Sequence, residues 1–444
     1  MPLSDYLRLR MVEAFRAFAS GDASLAVTIF EAVRQIQPGI AEPRLIAVTH
    51  FWKARAHRKK GEYGQALHHI AEARKLATQI HAHKFVAIIQ IHQSWLFFQE
   101  GRRKEAFRLL DEAEAELKRT GNALSLGNIE SARGRFVRRS GEYVKALQFF
   151  QNAIEIYSSR FPNHPNLARA LVNAAYVKRL MALDLGHSSN AGKARGTQHA
   201  HFLLLCKEAL SLLQKASDIY ALHQHQGGSA AVLVNAGHLH LDCGDIDRAS
   251  VEAVKAFHLG DEKQDHILMA RARILQADIE NTRAEEQLED MPDIVGHSNL
   301  AVQHSEEAIA SAKLTQNKRL LAGAYIARGL TAASDCVGEW EVAQQFATLA
   351  SELLSPDDRD HLSKDLGKLK SRILRATGID QTLRLWSDGL VGNKTFQQVT
   401  EEFAEIVIPK VWMREDQKTS KVAQKLSISP KKVRRILRNV RLLD

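Results

Sequence analysis

The sequence predicts an all-α protein: an α-solenoid of stacked helical hairpins, followed by a small basic helix–turn–helix unit. Three observations predict it. Glycines recur at a fixed interval, with Gly21, Gly61, Gly101 and Gly141 each 40 residues apart. Only 9 Pro and 25 Gly occur in 444 residues, which argues for long helices and few loops. The stretch from Lys418 to Arg441 carries nine Lys or Arg, no acid, and an ordered apolar skeleton.

The 40-residue interval is more than a spacing of glycines. Five residues after each comes Ala26, Ala66, Ala106 or Ala146, and nine after comes Phe30, Ile70, Leu110 or Phe150. Seven before comes a small residue: Ala14, Ala54, Ser94 or Gly134. Matched small and large positions at a fixed period signal stacked supersecondary units. The glycine ends a first helix and lets the chain turn. The small residues let two helices approach, and the large one fills the groove of the next unit. One pair cannot bury both of its faces, so the pairs stack.

The segments Gly61-Glu62-Tyr63-Gly64-Gln65-Ala66 and Gly141-Glu142-Tyr143-Val144-Lys145-Ala146 resemble the signature of tetratricopeptide repeats. Gly338-Glu339-Trp340-Glu341-Val342-Ala343 is similar, with Trp for Tyr. Gly21-Asp22 and Gly244-Asp245 keep the glycine and the acid, and Gly101-Arg102-Arg103 keeps less. The resemblance implies a right-handed solenoid that binds peptides or protein segments on a concave face lined by the first helix of each pair. The family period is about 34 residues, so helices longer by most of a turn are expected here. Tyr63, Tyr143 and Trp340 read as packing residues of the repeat.

Later spacings extend the register. Gly141 to Gly244 and Gly244 to Gly338 each exceed two periods, so each interval is expected to hold one degenerate pair with an insertion. The first insertion is expected at 186–201, a loop rich in Gly, Ser, His and Asn, and the second at 282–298, acidic and containing Pro292. About eight helical pairs are expected from 5 to 355, then a closing helix at 361–376 with Gly378 as its stop. The repeat domain is assigned to 1–378. A linker at 379–394 contains Gly389, Gly392 and Asn393, and the C-terminal domain spans 395–444.

In that last domain Val422, Ala423, Leu426, Ile428, Val433, Ile436 and Leu437 form the apolar skeleton. Ser427-Ile428-Ser429-Pro430 breaks it: Ser429 suits an N-cap and Pro430 the first helical position. Helices are expected at 420–426 and 430–439, after an upstream helix from Val399 to Trp412. From Thr395 to Leu443 the arrangement resembles a Fis-type DNA-binding domain. It departs at the turn, where Ser427 stands in place of the usual Gly. It departs again at Pro430, where the family often has a base-reading Arg, so no base preference carries over.

DNA binding needs cations that displace counterions from phosphates, and polar side chains near a helix start that reach base edges. Lys431, Arg434 and Arg435 suit base contact. Lys418, Lys421, Lys425, Lys432, Arg438 and Arg441 suit phosphate contact, and Ser429 belongs to the same interface. The bland reading is a solvated basic helix, or a docking module that engages protein. The upstream helix bears an apolar stripe of Val399, Phe403, Ile406 and Val407, which serves either a homodimer or packing within one chain.

In the array, Arg55, Arg58, Asn128, Arg135, Arg138, Asn173 and Asn235 are the candidate partner-binding residues, able to hold a peptide backbone or carboxylate by charge-assisted hydrogen bonds. Singly, each is more simply a solvated polar residue. His199, His201, His223, His225, His238 and His240 fall in i, i+2 pairs, which on a helix put the rings on different faces, so no metal is expected. No cofactor and no enzymatic activity are expected, since phosphate-cradling, nucleophile-elbow and zinc-binding motifs are absent from the sequence.

The net charge is +10, and residues 391–444 contribute six of those charges, with 12 Lys or Arg against 6 Asp or Glu. The basic balance is therefore local, which favours a double-stranded DNA partner over general stickiness. Cys206, Cys243 and Cys336 are far apart in sequence and suit a reducing cytoplasm. No apolar run approaches the length of a membrane span. The expectation is a cytoplasmic DNA-binding transcriptional regulator whose array recruits a protein or peptide. The alternative is an interaction scaffold whose C-terminal unit docks protein or inhibits the array.

Overall fold

The computed structural model describes residues 3–36, 42–187, 194–286, 293–376, 394–440 and 442–443. Helices and turns make up these residues, with no strand among them. Contacts divide the chain into two units, Met1–Leu369 and Lys370–Asp444, each described by itself.

The first unit holds eight antiparallel helical pairs. They are α1 (Leu3–Ser20) with α2 (Ala23–Ile36), α3 (Pro43–Lys60) with α4 (Tyr63–Gln79), α5 (His83–Gln99) with α6 (Arg103–Arg119), and α7 (Ala123–Arg139) with α8 (Tyr143–Arg160). Then come α9 (Pro165–His187) with α10 (Ala194–Leu222), α11 (Gln226–Asp242) with α12 (Ile246–Glu262), α13 (His266–Glu286) with α14 (Ile294–Lys313), and α15 (Lys318–Ala332) with α16 (Trp340–Leu353). Helix α17 (His361–Ala376) follows.

The period has a simple structural origin. From α4 to α7 the helices are 17 residues long and the turns between them span three. Gly21, Gly61, Gly101, Gly141, Gly244 and Gly338 all adopt positive φ where the first helix of a pair ends. The matched positions are buried as their sizes require: Ala26, Ala66, Ala106 and Ala146 are fully buried, with Phe30, Ile70, Leu110 and Phe150 packed beside them. A Cβ on Gly134 would lie 2.9 Å from the Phe150 ring, so the small position exists to admit the large one. Tyr63 and Tyr143 are buried, and Tyr63 packs edge-on against Trp95 at 5.2 Å between ring centres, which is the packing role expected of them.

The two insertions differ from expectation. In place of a loop at 186–201, α9 runs to His187 and α10 starts at Ala194, so much of that segment is helical. Likewise α13 and α14 extend into 282–298 from both sides. Extra length in these pairs goes into longer helices. Residues 188–193 and 287–292 lie outside the described residues, as do Gly378 and the expected linker up to residue 393.

The first half of the array touches the second. The Gln316 amide donates to the Gly61 carbonyl (2.8 Å), and the Gly64 amide donates to Gln316 Oε1 (2.7 Å). Lys59 Nζ donates to the Gly21 carbonyl (2.6 Å), and a Cβ on Gly21 would sit 3.2 Å from the Gly227 nitrogen. Only glycine, at positive φ, allows backbones to approach so closely. Cys206 and Cys243, remote in sequence, are hydrogen-bonding neighbours, and burial pushes the Cys206 thiol up to about 12.

The second unit contains three further helices: α18 (Phe396–Arg414), α19 (Thr419–Lys425) and α20 (Pro430–Asn439). Thr395 and Gln398 form a reciprocal capping box at the start of α18. Its core is Ile408, Trp412, Val422, Ala423, Val433, Ile436 and Leu437, with Leu426 and Ile428 partly buried against it. Ser427 takes φ +52°, the left-handed conformation that the missing glycine would have supplied. Ser429 accepts the Lys432 amide hydrogen (3.2 Å) and Pro430 opens α20, as expected from the sequence.

Candidate partner-binding face and nucleic-acid-binding unit

The array's candidate residues all lie on first helices of pairs, and most converge. Arg55 and Arg58 sit on α3, Asn128, Arg135 and Arg138 on α7, Asn173 on α9 and Asn235 on α11. Arg55 and Arg135 are two periods apart, as are Arg58 and Arg138, so they repeat the same positions of the register. With them belong two residues the sequence did not single out, His92 on α5 and Arg169 on α9. Arg55, Arg58, His92, Arg135 and Arg169 act on one another electrostatically.

Burial, then Arg169, pushes Arg58 down to about 10. Burial also pushes Arg55 and Arg135 well below the usual arginine range, with their neighbours Arg58 and Arg169 adding to it. His92 is held well below the ordinary histidine range by burial and then by Arg55 and Arg58, so its ring is neutral near pH 7. Each of these side chains still keeps partial solvent access. Burial here means enclosure by neighbouring helices, with water still in contact. A guanidinium stays charged in such a place, and the downward push expresses first the cost of burying each charge and then the cost of gathering like charges.

The contacts that hold the cluster are aromatic or neutral. Arg55 lies over the Trp52 ring at 3.9 Å, and Arg58 over Trp95 at 5.1 Å. Arg58 Nη1 is 3.4 Å from His92 Nδ1. Arg135 donates to the Ser131 carbonyl (3.2 Å), and Arg169 donates to Asn166 Oδ1. Among the described residues, none of these four arginines forms an ion pair with a carboxylate. Asn128 Oδ1 accepts from Tyr157 (2.9 Å) and Asn166 (3.0 Å). Arg138 lies over Tyr176 at 4.6 Å and reaches Asn173 at 3.4 Å. Asn235 bonds within its own helix, donating to the Ala231 carbonyl one turn earlier (2.7 Å).

In the C-terminal unit Lys431, Lys432, Arg434, Arg435 and Arg438 are exposed on α20, and Lys418, Lys421 and Lys425 are exposed around α19. The buried Val433, Ile436 and Leu437 occupy the opposite side, so the basic face is outward by helical geometry. Several cations are engaged within the unit. Arg435 pairs with Glu401 of α18, Lys425 with Glu415, and Lys421 with Asp416 at 3.5 Å. Asn439 donates to Glu405 (3.2 Å). Arg435 is thus turned toward α18, and Lys431 with Arg434 form the outward start of the helix.

The apolar stripe expected on α18 stays outside the core. Ala404, Ile408, Val411 and Trp412 take the packing role at helical spacing, while Phe403 is 49% exposed and Val399, Ile406 and Val407 are only half-buried. Among the described residues, no helix is long and apolar enough to cross a membrane.

No family model matches the chain, and no curated protein matches it. Solved structures do. The crystal structure of a Rap protein complexed with competence and sporulation factor is 12% identical, covering 90% of this chain and 99% of that one, with a TM-score of 0.53. The apo form of RapI is 12% identical over 92% of this chain and 99% of its own, with a TM-score of 0.41. A signal-transduction ATPase with a tetratricopeptide-repeat sensor from Pyrococcus horikoshii is 14% identical over 82% of this chain and 51% of its own, with a TM-score of 0.42. The first likeness shows the fold: the array is a helical-repeat solenoid of the tetratricopeptide-like kind.

Proposed function

We propose that the chain is a DNA-binding regulator of transcription whose repeat array binds a protein or peptide partner. One observation carries the DNA half: α20 presents Lys431 and Arg434 outward from a capped helix start, in a stretch free of acid from Lys418 to Arg441. Side chains at that end of a second helix reach base edges, while the surrounding lysines contact phosphates. The partner half is supported by the arginine and asparagine side chains gathered from α3, α7 and α9. No catalytic step and no cofactor is assigned to either unit.

Fluorescence anisotropy of the full chain on a pool of genomic duplexes, across a salt series, tests the reading. Binding should weaken steeply with salt and yet retain selected sequences at physiological salt. Lys431→Ala with Arg434→Ala should cost at least about 2 kcal/mol on the retained sequences. Absence of saturable binding would refute the DNA half.

A second reading, in which the C-terminal unit docks protein, is favoured by the pairs Arg435–Glu401 and Asn439–Glu405, which cover one side of α20. Under it, the same double substitution would leave partner capture intact and no duplex would be retained.

One recognition helix reads few bases, so a homodimer through α18 belongs to the main proposal. Phe403→Asp should then give folded monomers by sedimentation, because Phe403 is not part of the unit's core. An unchanged sedimentation coefficient, or unfolding, would remove the dimer from the proposal.

A further inference from the structure

The array already holds one acidic segment of its own chain. The connector between α16 and α17, Ser355-Pro356-Asp357-Asp358-Arg359-Asp360, lies against helices from the first half of the array. Asp358 and Asp360 are buried. Asp358 pairs with Arg103 and Arg319, and Asp360 pairs with Arg319. The Arg359 amide between them donates to the Arg139 carbonyl (3.0 Å). A Cβ on Gly141 would lie 2.7 Å from the Arg359 carbonyl oxygen, so glycine there is what lets the segment in. Two carboxylates two residues apart are therefore read by arginines, with a main-chain hydrogen bond between them.

The neighbouring stretch has the same donors and no such occupant. Arg55, Arg58, Arg135 and Arg169 come from three first helices and have no carboxylate partner among the described residues. The Arg55 Nε is buried without a hydrogen-bond partner. Arg55, Arg58 and His92 lie together beside Ala54, Ile70 and Leu96. Four guanidiniums exceed the charge of one carboxylate, and planar forks of this kind match carboxylate oxygens pairwise.

We infer that the cluster Arg55, Arg58, Arg135 and Arg169 binds an acidic partner peptide bearing two carboxylates in an Asp-x-Asp spacing, as the array binds its own Asp358 and Asp360. The inference rests on the partner-binding reading above and specifies the chemistry of that partner.

The probe is a blocked, fluorescein-labelled peptide containing Asp-Ser-Asp, with its Asn-Ser-Asn counterpart as control. Both are titrated onto the full chain carrying Lys431→Ala and Arg434→Ala, which removes two of the exposed cations of the basic C-terminal helix. The Asp probe should bind saturably, and the Asn probe at least about tenfold more weakly. Arg58→Gln with Arg135→Gln should weaken the Asp probe by at least about tenfold, whereas Arg103→Gln should not. Should the double variant fold poorly by circular dichroism, hydrogen exchange on the parent chain decides instead: the Asp probe should slow exchange in α3 and α7.

Equal affinity for the two probes, insensitivity to the double substitution, or protection confined to the Ser355–Asp360 region would overturn the inference. A screen of random peptides separates the two levels. If selected peptides bind the array without a preference for acid, this inference falls and the partner-binding reading stands. If no peptide binds, both fall.

Discussion

Asp278 shows how one side chain can set a pH dependence. It lies on α13, and burial first, then the nearby Asp365, pushes its carboxyl up to about 7. An ordinary Asp titrates near 4. Between those values the folded state keeps a proton that the unfolded chain has lost. The associated stability is fully present below about pH 4 and is lost as pH rises through about 7. Asp278→Asn should therefore raise stability at pH 8 and change little at pH 4, read from urea midpoints at both. A gain that is equal at the two pH values would contradict this account. Residues of this kind were not legible in the sequence. Nothing about Asp278 or Asp365 alone announces that a fold will bring them together. His92 and Arg169 escaped for a related reason, since neither repeats the register positions of Arg55 or Arg58.

The C-terminal helices were legible because their signals are local. Ser429 and Pro430 start α20 by capping and preset φ, and both act within one turn of the chain. At the Ser427 turn the sequence conflicts with its backbone, as it does at Asp416 and Gln417, which also hold positive φ. A non-glycine residue there costs about 1–2 kcal/mol, partly offset by the freedom glycine would lose on folding. Ser427→Gly should stabilise the unit by about 0.5–1 kcal/mol. Slower hydrogen exchange of α20 amides in the full chain would register it, and faster exchange would show that the serine makes a contact worth more than the strain. The stripe on α18 was less legible. Val399, Phe403 and Ile406 have helical spacing, but so do Ala404, Ile408 and Val411. Periodicity alone cannot say which of two apolar faces a partner helix will cover.

At the scale of the whole array, eight pairs are stacked and also bridged between their halves. Arg319 on α15 holds both Asp358 and Asp360, buried acids that Arg103 alone cannot satisfy. Removing one partner of a buried ion pair leaves an uncompensated charge. Arg319→Ala should thus cost about 3–5 kcal/mol and speed proteolysis at Ser355–Asp360. A change within ±0.5 kcal/mol, the range of ordinary surface substitutions, would mean that the segment is held by its main-chain contacts. The same bridging decides which arginines remain without acid partners, and so where a partner's charge would be received.

The repeat number, the pairing of helices and the two helices of the C-terminal turn were determined by the sequence itself. They depend on contacts between residues within one or two periods, and small–large matching at fixed spacing encodes those directly. Three things were decided only in three dimensions: the meeting of Gly61 with Gln316, the docking of Asp358 and Asp360, and the gathering of Arg55, Arg58, Arg135 and Arg169. The contacts that bridge the halves join residues as many as 255 positions apart. They depend on the accumulated rotation from pair to pair, which no single repeat's residues record.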